Sequence, residues 1–498
     1  MKKFTMKPAR ANSGQSDLPT ETGPVKYFNH LIEKGLYFLL LFTPLAFGGV
    51  QPWAFTIMEF VAFIVFGAWL LRMCVLKKIE FYATPLLFCM LALAVVGLVQ
   101  IIPMPQAMLG LISPSSLTVY KTFAIDTEPV WRPISIDPQS TIDDIWKLLS
   151  YTAVFAVIID YFKTRAQVGK IIKFIIWLGL AIAIFAVVQR LAWNGRIYWI
   201  FPVRPGLEFS KGHIWGPYIN HNHFAGYMEL VVPLALGYFL YRLTDVKVMP
   251  DMPILRKLHI YASNNAMMQM VFFLVSAFVM TGALFMSSSR GGIIGLTTGA
   301  IVFMAMSFKR KTLKDKAAIL AAIGAVLIVF VVFLSWGRLE DRFGDIAEEG
   351  KNPRLDVLAD STRLVRDFPV LGTGLGTFKS SYLSYQTKYS TMLFLNADND
   401  FLEILVDTGL AGFVVVVSII FFFFYPVVRV WAVRQNRFVK CMAAAGVASC
   451  SALVAHSFFD FNMHIPANAM LITVIAGITY AVVFNVSERG RHNAVKKF

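Results

Sequence analysis

The sequence predicts an all-α, polytopic integral membrane protein of about twelve transmembrane helices, with one large outer loop between late spans. Three observations predict it. Of 498 residues, 57% are hydrophobic and only 15% charged, where an ordinary soluble domain carries about 25% charge. The apolar residues gather into runs of about 17–25, the length at which a helix crosses about 30 Å of hydrocarbon. Lys and Arg cluster in alternate short loops, which fixes an orientation.

Taken in order, residues 1–34 form a cytoplasmic tail, disordered to about Thr22, where Ser, Pro, Thr and Gly dominate. Nine spans are expected within 35–336, near 37–50, 53–71, 82–102, 146–161, 171–192, 224–241, 268–287, 290–308 and 317–336. No small-residue cleavage site follows the first run, so it is expected to remain as a span. Residues 337–401 break the series with eight basic and ten acidic residues. Three more spans fall within 402–485, near 401–430, 441–457 and 466–484. The run at 401–430 is longer than a span, so its first turns should project beyond the bilayer. Residues 486–498 form a second basic tail.

With the N-terminus inside, the basic turns at 72–78, 163–173, 242–257, 309–316, 429–440 and 489–497 all face the cytoplasm. Residues 337–401 then lie outside, and the natural setting is a bacterial inner membrane. The net charge of +16 follows from this topology and from contact with anionic lipid, not from nucleic-acid binding. The four cysteines, Cys74, Cys89, Cys441 and Cys450, form no Cys-x-x-Cys pair and imply no disulfide framework. No Walker sequence is present.

Polar residues that carry chemistry collect on the outer face. Ser287-Ser288-Ser289-Arg290-Gly291-Gly292 joins two spans. An arginine beside hydrocarbon costs a few kcal/mol unless it snorkels or is paired. Arg290 is therefore either an interface anchor or an anion ligand. Asn220-His221-Asn222-His223 enters a span among aromatics, a composition suited to a polar belt or to sugars. The two histidines lack neighbouring zinc ligands, so no metal is expected. In the outer loop, Arg338, Arg342 and Arg354 precede Gly372-Thr373-Gly374-Leu375-Gly376, which reads as a tight turn back to the membrane. Residues 354–366 carry apolar side chains at helical spacing, the pattern of a short amphipathic helix. Asp398-Asn399-Asp400 precedes a span, where such residues cap helices. Asp460-Phe461-Asn462-Met463-His464 forms the last outer loop.

The order of these blocks resembles the O-antigen ligase and O-antigen polymerase family of integral membrane glycosyltransferases. The motifs that carry it are Gly-Pro-Tyr-Ile-Asn-His-Asn-His from Gly216, Ser-Arg-Gly-Gly from Ser289, Arg354 running to Phe-Pro-Val-Leu-Gly from Phe368, and Asn-Asp-Phe-Leu-Glu from Asn399. Asp-Phe-Asn-Met-His-Ile-Pro from Asp460 is similar to one branch. The resemblance implies transfer of a glycan from undecaprenyl diphosphate to an acceptor hydroxyl, with inversion and with neither metal nor cofactor. The acceptor is lipid A core in ligases and a growing polysaccharide in polymerases.

On that basis Arg290, Arg354 and Asp398 are the expected catalytic residues. Asn220, His221, Asn222, His223, Arg338, Arg342, Asn399 and His464 are expected to bind substrate. Arginine suits a diphosphate because its planar fork stays charged and bonds in pairs. One departure stands out, since the ligase pattern has a histidine where this chain has Asp398. The rival from another class is a transporter or flippase of lipid-linked glycan. It would place ionisable residues at mid-span, whereas here they collect at one face.

Overall fold

The structure, a computed structural model, describes residues 23–77, 82–123, 131–202, 215–243, 265–308, 353–388 and 394–486. The expected span at 317–336, the candidates Arg338 and Arg342, and residues 1–22 and 487–498 of the two tails lie outside the described residues. Helices in chain order are α1 (Gly23–Leu45), α2 (Pro52–Leu76), α3 (Pro85–Gln100), α4 (Gln106–Ile112), α5 (Pro114–Phe123), α6 (Pro138–Tyr161), α7 (Arg165–Leu191) and α8 (His221–Leu243). They continue as α9 (Asn265–Met286), α10 (Arg290–Phe308), α11 (Pro353–Asp367), α12 (Phe378–Tyr382), α13 (Asp400–Val433), α14 (Arg437–His456) and α15 (Pro466–Phe484). A two-stranded ribbon, Arg196–Ile197 against Phe201–Pro202, is the one named sheet among the described residues.

The protein is thus all-α and polytopic. Among the described residues eight helices, α2, α7 to α10 and α13 to α15, are long and apolar enough to cross a membrane. Helix α3 is apolar but only 16 residues long. Each expected span within the described residues falls on a helix, but the edges differ. Helix α1 begins 14 residues before the apolar run at 37 (37 − 23), because Lys26, His30, Glu33 and Lys34 dilute the hydropathy of its first half. The amphipathic helix expected at 354–366 is present as α11.

Helices α8, α14 and α15 are buried over most of their length, whereas α13 lies at the periphery. Small residues let the interior helices close on one another. A Cβ at Gly291 would meet the His456 ring, one at Gly295 the Ala452 carbonyl, and one at Gly299 the Ala448 carbonyl. Glycines at every fourth position of α10 therefore lie along a matching row of α14, the small-residue packing that membrane helices use.

Helix α13 breaks at Gly409 (φ 61°, ψ −161°), which sets 400–408 apart as a separate segment, a break that the length of the apolar run did not announce. The break frees backbone groups that need partners. Leu410 and Ala411 donate to the Pro369 and Val370 carbonyls, at 2.9 and 3.1 Å. Thr373 and Gly374 donate to the Val406 and Asp407 carbonyls, both at 2.9 Å. The glycine-rich loop at 372–376 is therefore a tight turn docked on the break, with positive φ at Gly372, Gly374 and Gly376. Buried Gln100, the last residue of α3, fastens it further: its amide donates to the carbonyls of Leu371 (2.5 Å) and Asp407 (2.8 Å) and accepts from Leu375 N–H (2.9 Å).

Candidate active site

The starts of α8, α10, α13 and α15 and the ends of α9 and α14 carry the polar motifs. Helix α13 begins with three side chains in different jobs. Asn399 is its N-cap, accepting from Phe401 and Leu402 N–H, each at 3.0 Å. Its amide donates to the Phe458 carbonyl at 3.1 Å. Asp400, expected as a cap, instead turns away: its carboxylate lies 2.9 Å from His464 Nδ1 and accepts from Met463 N–H at 3.1 Å. Glu403 reaches back one turn, accepting from Asn396 Nδ2 at 2.8 Å and Ala397 N–H at 2.9 Å. These bonds hold 396–399 as a tight loop.

Asp398 sits on that loop with φ 51°, a left-handed conformation that Asp, Asn and His tolerate better than most residues. Its Oδ2 lies 2.9 Å from Arg354 Nε on α11, and the arginine side chain is about half exposed. Burial is the larger influence on the Asp398 carboxyl and raises its pKa above the ordinary 3.8, while the Arg354 guanidinium pulls it part of the way back. Asp460 and His223 are the next charged groups that act on it.

Those two residues form a second pair, with His223 Nε2 3.4 Å from Asp460 Oδ1 and both side chains buried. Burial alone would raise the Asp460 carboxyl, but the neighbouring His223 and His456 and the Phe461 N–H hold it down to about 2. His464 shows the converse. Burial would lower its pKa, yet the carboxylates of Glu403 and Asp400 push it up to about 10.

Below this layer lies a third pair that sequence reasoning did not assign. His456 Nδ1 at the end of α14 is 3.1 Å from Glu229 Oε1 in α8, and neither side chain has any exposed surface. Gly291 and Gly295 of α10 pack directly on it, so the Ser-Arg-Gly-Gly block closes over a buried pair. Arg290 opens α10 with its side chain exposed. Ser289 accepts from Gly292 N–H at 3.1 Å as the cap.

The structure brings Arg354 and Asp398 into contact and sets His223 against Asp460 and His464 against Asp400. Asn220 acts locally, accepting from Asn222 N–H at 2.8 Å, and His221 and Asn222 are buried in the first turn of α8. Asn468 ties this turn down, donating to the His223 carbonyl and to Asn462 Oδ1, both at 2.9 Å. Among the described residues the three-ligand cluster is formed by Glu403, Asp407 and His464, and includes neither His221 nor His223.

A mostly apolar cavity of about 310 Å³ runs beside these groups. Leu86, Phe155, Ile420, Phe423 and Ala476 line its length. Its polar lining includes Asp144 and Lys147 of α6, Asp400 at the start of α13 and His464 just before α15.

An all-α bundle with eight candidate spans among the described residues, an ionic cluster and an apolar groove beside it define a polytopic membrane protein. Residues 275–417, less than a third of the chain, match the family described as O-antigen ligase, which places that segment in the O-antigen ligase and polymerase family. Members transfer glycans at membranes, and their substrates are lipid-linked glycans in general terms. No curated protein matches the chain.

Proposed function

We propose that this protein is an O-antigen ligase-like transferase. It moves a glycan from undecaprenyl diphosphate to an acceptor hydroxyl, such as one on lipid A core, at the periplasmic face of a bacterial inner membrane. The observation that carries the reading is the Arg354–Asp398 pair, a half-exposed cation against a carboxylate whose pKa burial has raised. Arg354 and Arg290 bind the diphosphate and stabilise the charge that grows as the anomeric carbon–oxygen bond breaks. The acceptor oxygen attacks from the opposite face, which inverts the centre. Asp398 takes the hydroxyl proton late, and its raised pKa makes it a better base than an ordinary aspartate. The apolar cavity suits the polyprenyl chain. His223, Asn220, His221, Asn222, Asn399 and His464 shape the sugar subsites around the pair.

Purified protein with a lipid-linked donor tests the reading. Arg354→Ala should lower kcat/KM roughly 30- to 1,000-fold, the 2–4 kcal/mol scale of a positioned oxyanion donor. Lys should rescue poorly if the contact is bidentate. Wild-type transfer in folded Arg354→Ala would remove that residue from the reaction. A lipopolysaccharide gel of a deletion strain separates ligase from polymerase. Ligase loss leaves core-only lipid with full-length glycan on its carrier, whereas polymerase loss leaves core plus one repeat.

The sidedness has its own test. Thr362, exposed on α11, and Gln435, exposed between α13 and α14, should lie on opposite sides. A membrane-impermeant thiol reagent applied to intact spheroplasts should label Thr362→Cys and spare Gln435→Cys. The reverse pattern would invert the topology.

A further inference from the structure

The first turns of α13 and the 462–464 turn enclose a cluster of which the proposed transfer uses His464 alone, at the edge of the sugar subsites. Glu403 and Asp407, four positions apart, share one face of the helix, and His464 meets them from the turn before α15. One carboxylate oxygen from each acid and a ring nitrogen of His464 lie within 4.8 Å of one another. Asp407 is fully buried. Its Oδ2 accepts from Gly376 N–H at 2.7 Å, while Oδ1 has no hydrogen-bond partner among the described residues. An orphaned carboxylate oxygen in a buried site is costly. His464 is oriented as metal-binding histidines are. Nδ1–H donated to Asp400 at 2.9 Å turns Nε2 toward Glu403 Oε1, 3.4 Å away. The charges also fail to balance. Asp144 is matched by Lys147 at 2.6 Å, but among the described residues Asp400, Glu403 and Asp407 share the single His464.

We propose that Glu403, Asp407 and His464 bind one divalent transition-metal ion of the Mn²⁺ or Zn²⁺ kind. Two carboxylates and an imidazole suit such ions, whereas Mg²⁺ and Ca²⁺ prefer oxygen alone and the softest ions prefer sulfur. The adjoining cavity, lined in part by His464 and Asp400, gives the ion a way in. The ion stays outside the reaction, which leaves the metal-free transfer implied by the family resemblance intact. It fastens three pieces together. Asp407 holds the glycine-rich loop through Gly376, Glu403 holds the Asp398 loop through Asn396 and Ala397, and His464 holds the turn after α14. The binding site stands without the proposed transferase activity; only the benefit to Asp398 rests on that reading.

The test is Mn²⁺ titration of full-length protein in nanodiscs after chelator treatment, with free Mn²⁺ read by electron paramagnetic resonance. One saturable site per chain is expected, displaced by Zn²⁺, together with a higher melting temperature. Asp407→Asn and Glu403→Gln should each weaken binding at least tenfold. Asp400→Asn should weaken it roughly 10- to 100-fold, as loss of a histidine-orienting carboxylate does. If Asp407→Asn fails to fold, Glu403→Gln and the wild-type stoichiometry decide. Absence of a saturable Mn²⁺ site in wild type, or binding unchanged in the folded variants, overturns the proposal and leaves the cluster neutralised by protons. Transfer activity enters none of these readouts, so a failed transferase assay and a failed cation site remain distinguishable.

Discussion

Asp398→Asn should lower transfer by about 10²- to 10⁴-fold, the range for a lost general base, while donor binding holds. Asparagine keeps the shape, accepts the left-handed backbone and retains a hydrogen-bond acceptor for Arg354, but it cannot take a proton. Asp398→His should retain measurable transfer, because it restores the residue of the ligase pattern at a conformation His also tolerates. The pH profile gives a second readout. A base acts unprotonated, so the rate should fall as pH drops through the Asp398 pKa, at a pH above the ordinary carboxylate value of 3.8. The Arg354 guanidinium lowers that pKa. Arg354→Gln should therefore move the acid limb to higher pH, whatever it does to the maximal rate. Full activity in Asp398→Asn would end its assignment as base, and an acid limb unmoved in Arg354→Gln would uncouple the two residues.

His456→Ala should be the most damaging change to stability, costing about 3–5 kcal/mol, because it strands the Glu229 carboxylate without its partner in a fully buried site. Glu229→Gln in the same background should recover part of that loss, since a neutral amide needs less compensation than a charge. Unfolding of the purified variants by heat or denaturant measures both, and the pair is coupled only if the double variant departs from the sum of the singles. A loss below about 1 kcal/mol in His456→Ala would mean that the buried contact contributes little.

These two residues also show what the sequence can and cannot convey. Helix α10 begins at Arg290 and α15 at Pro466, as read, because an arginine and a proline mark helix starts sharply beside apolar runs. Helices α4 and α5 were not anticipated. They are 7 and 10 residues long, too short for an apolar period, and proline separates them. Arg354 and Asp398 were legible as members of one candidate site through the family motifs alone, but their contact with each other was not. Glu229 and His456 are 227 positions apart, and each lies in a mostly apolar helix. No local period points from one to the other, so only packing reveals the pair. Asp400 was misjudged for a related reason. Composition marks a helix start, but it does not say which of two adjacent side chains caps it and which reaches 64 positions along the chain to His464.

The Gln100 clasp bears on how such proteins recombine. The segment that matches the O-antigen ligase family ends at residue 417 and begins at 275, yet its glycine-rich loop is held by Gln100, and Asp400 at the start of its last helix is held by the turn around Asp460 and His464. A chimera that imports only the matched segment from a relative would carry in a lock and leave both keys behind. Grafts of this kind should work only when α3 and the 457–468 turn travel with the segment. The structural unit that holds these residues is therefore scattered along the chain, and the boundaries of a sequence match are a poor guide to where it can be cut.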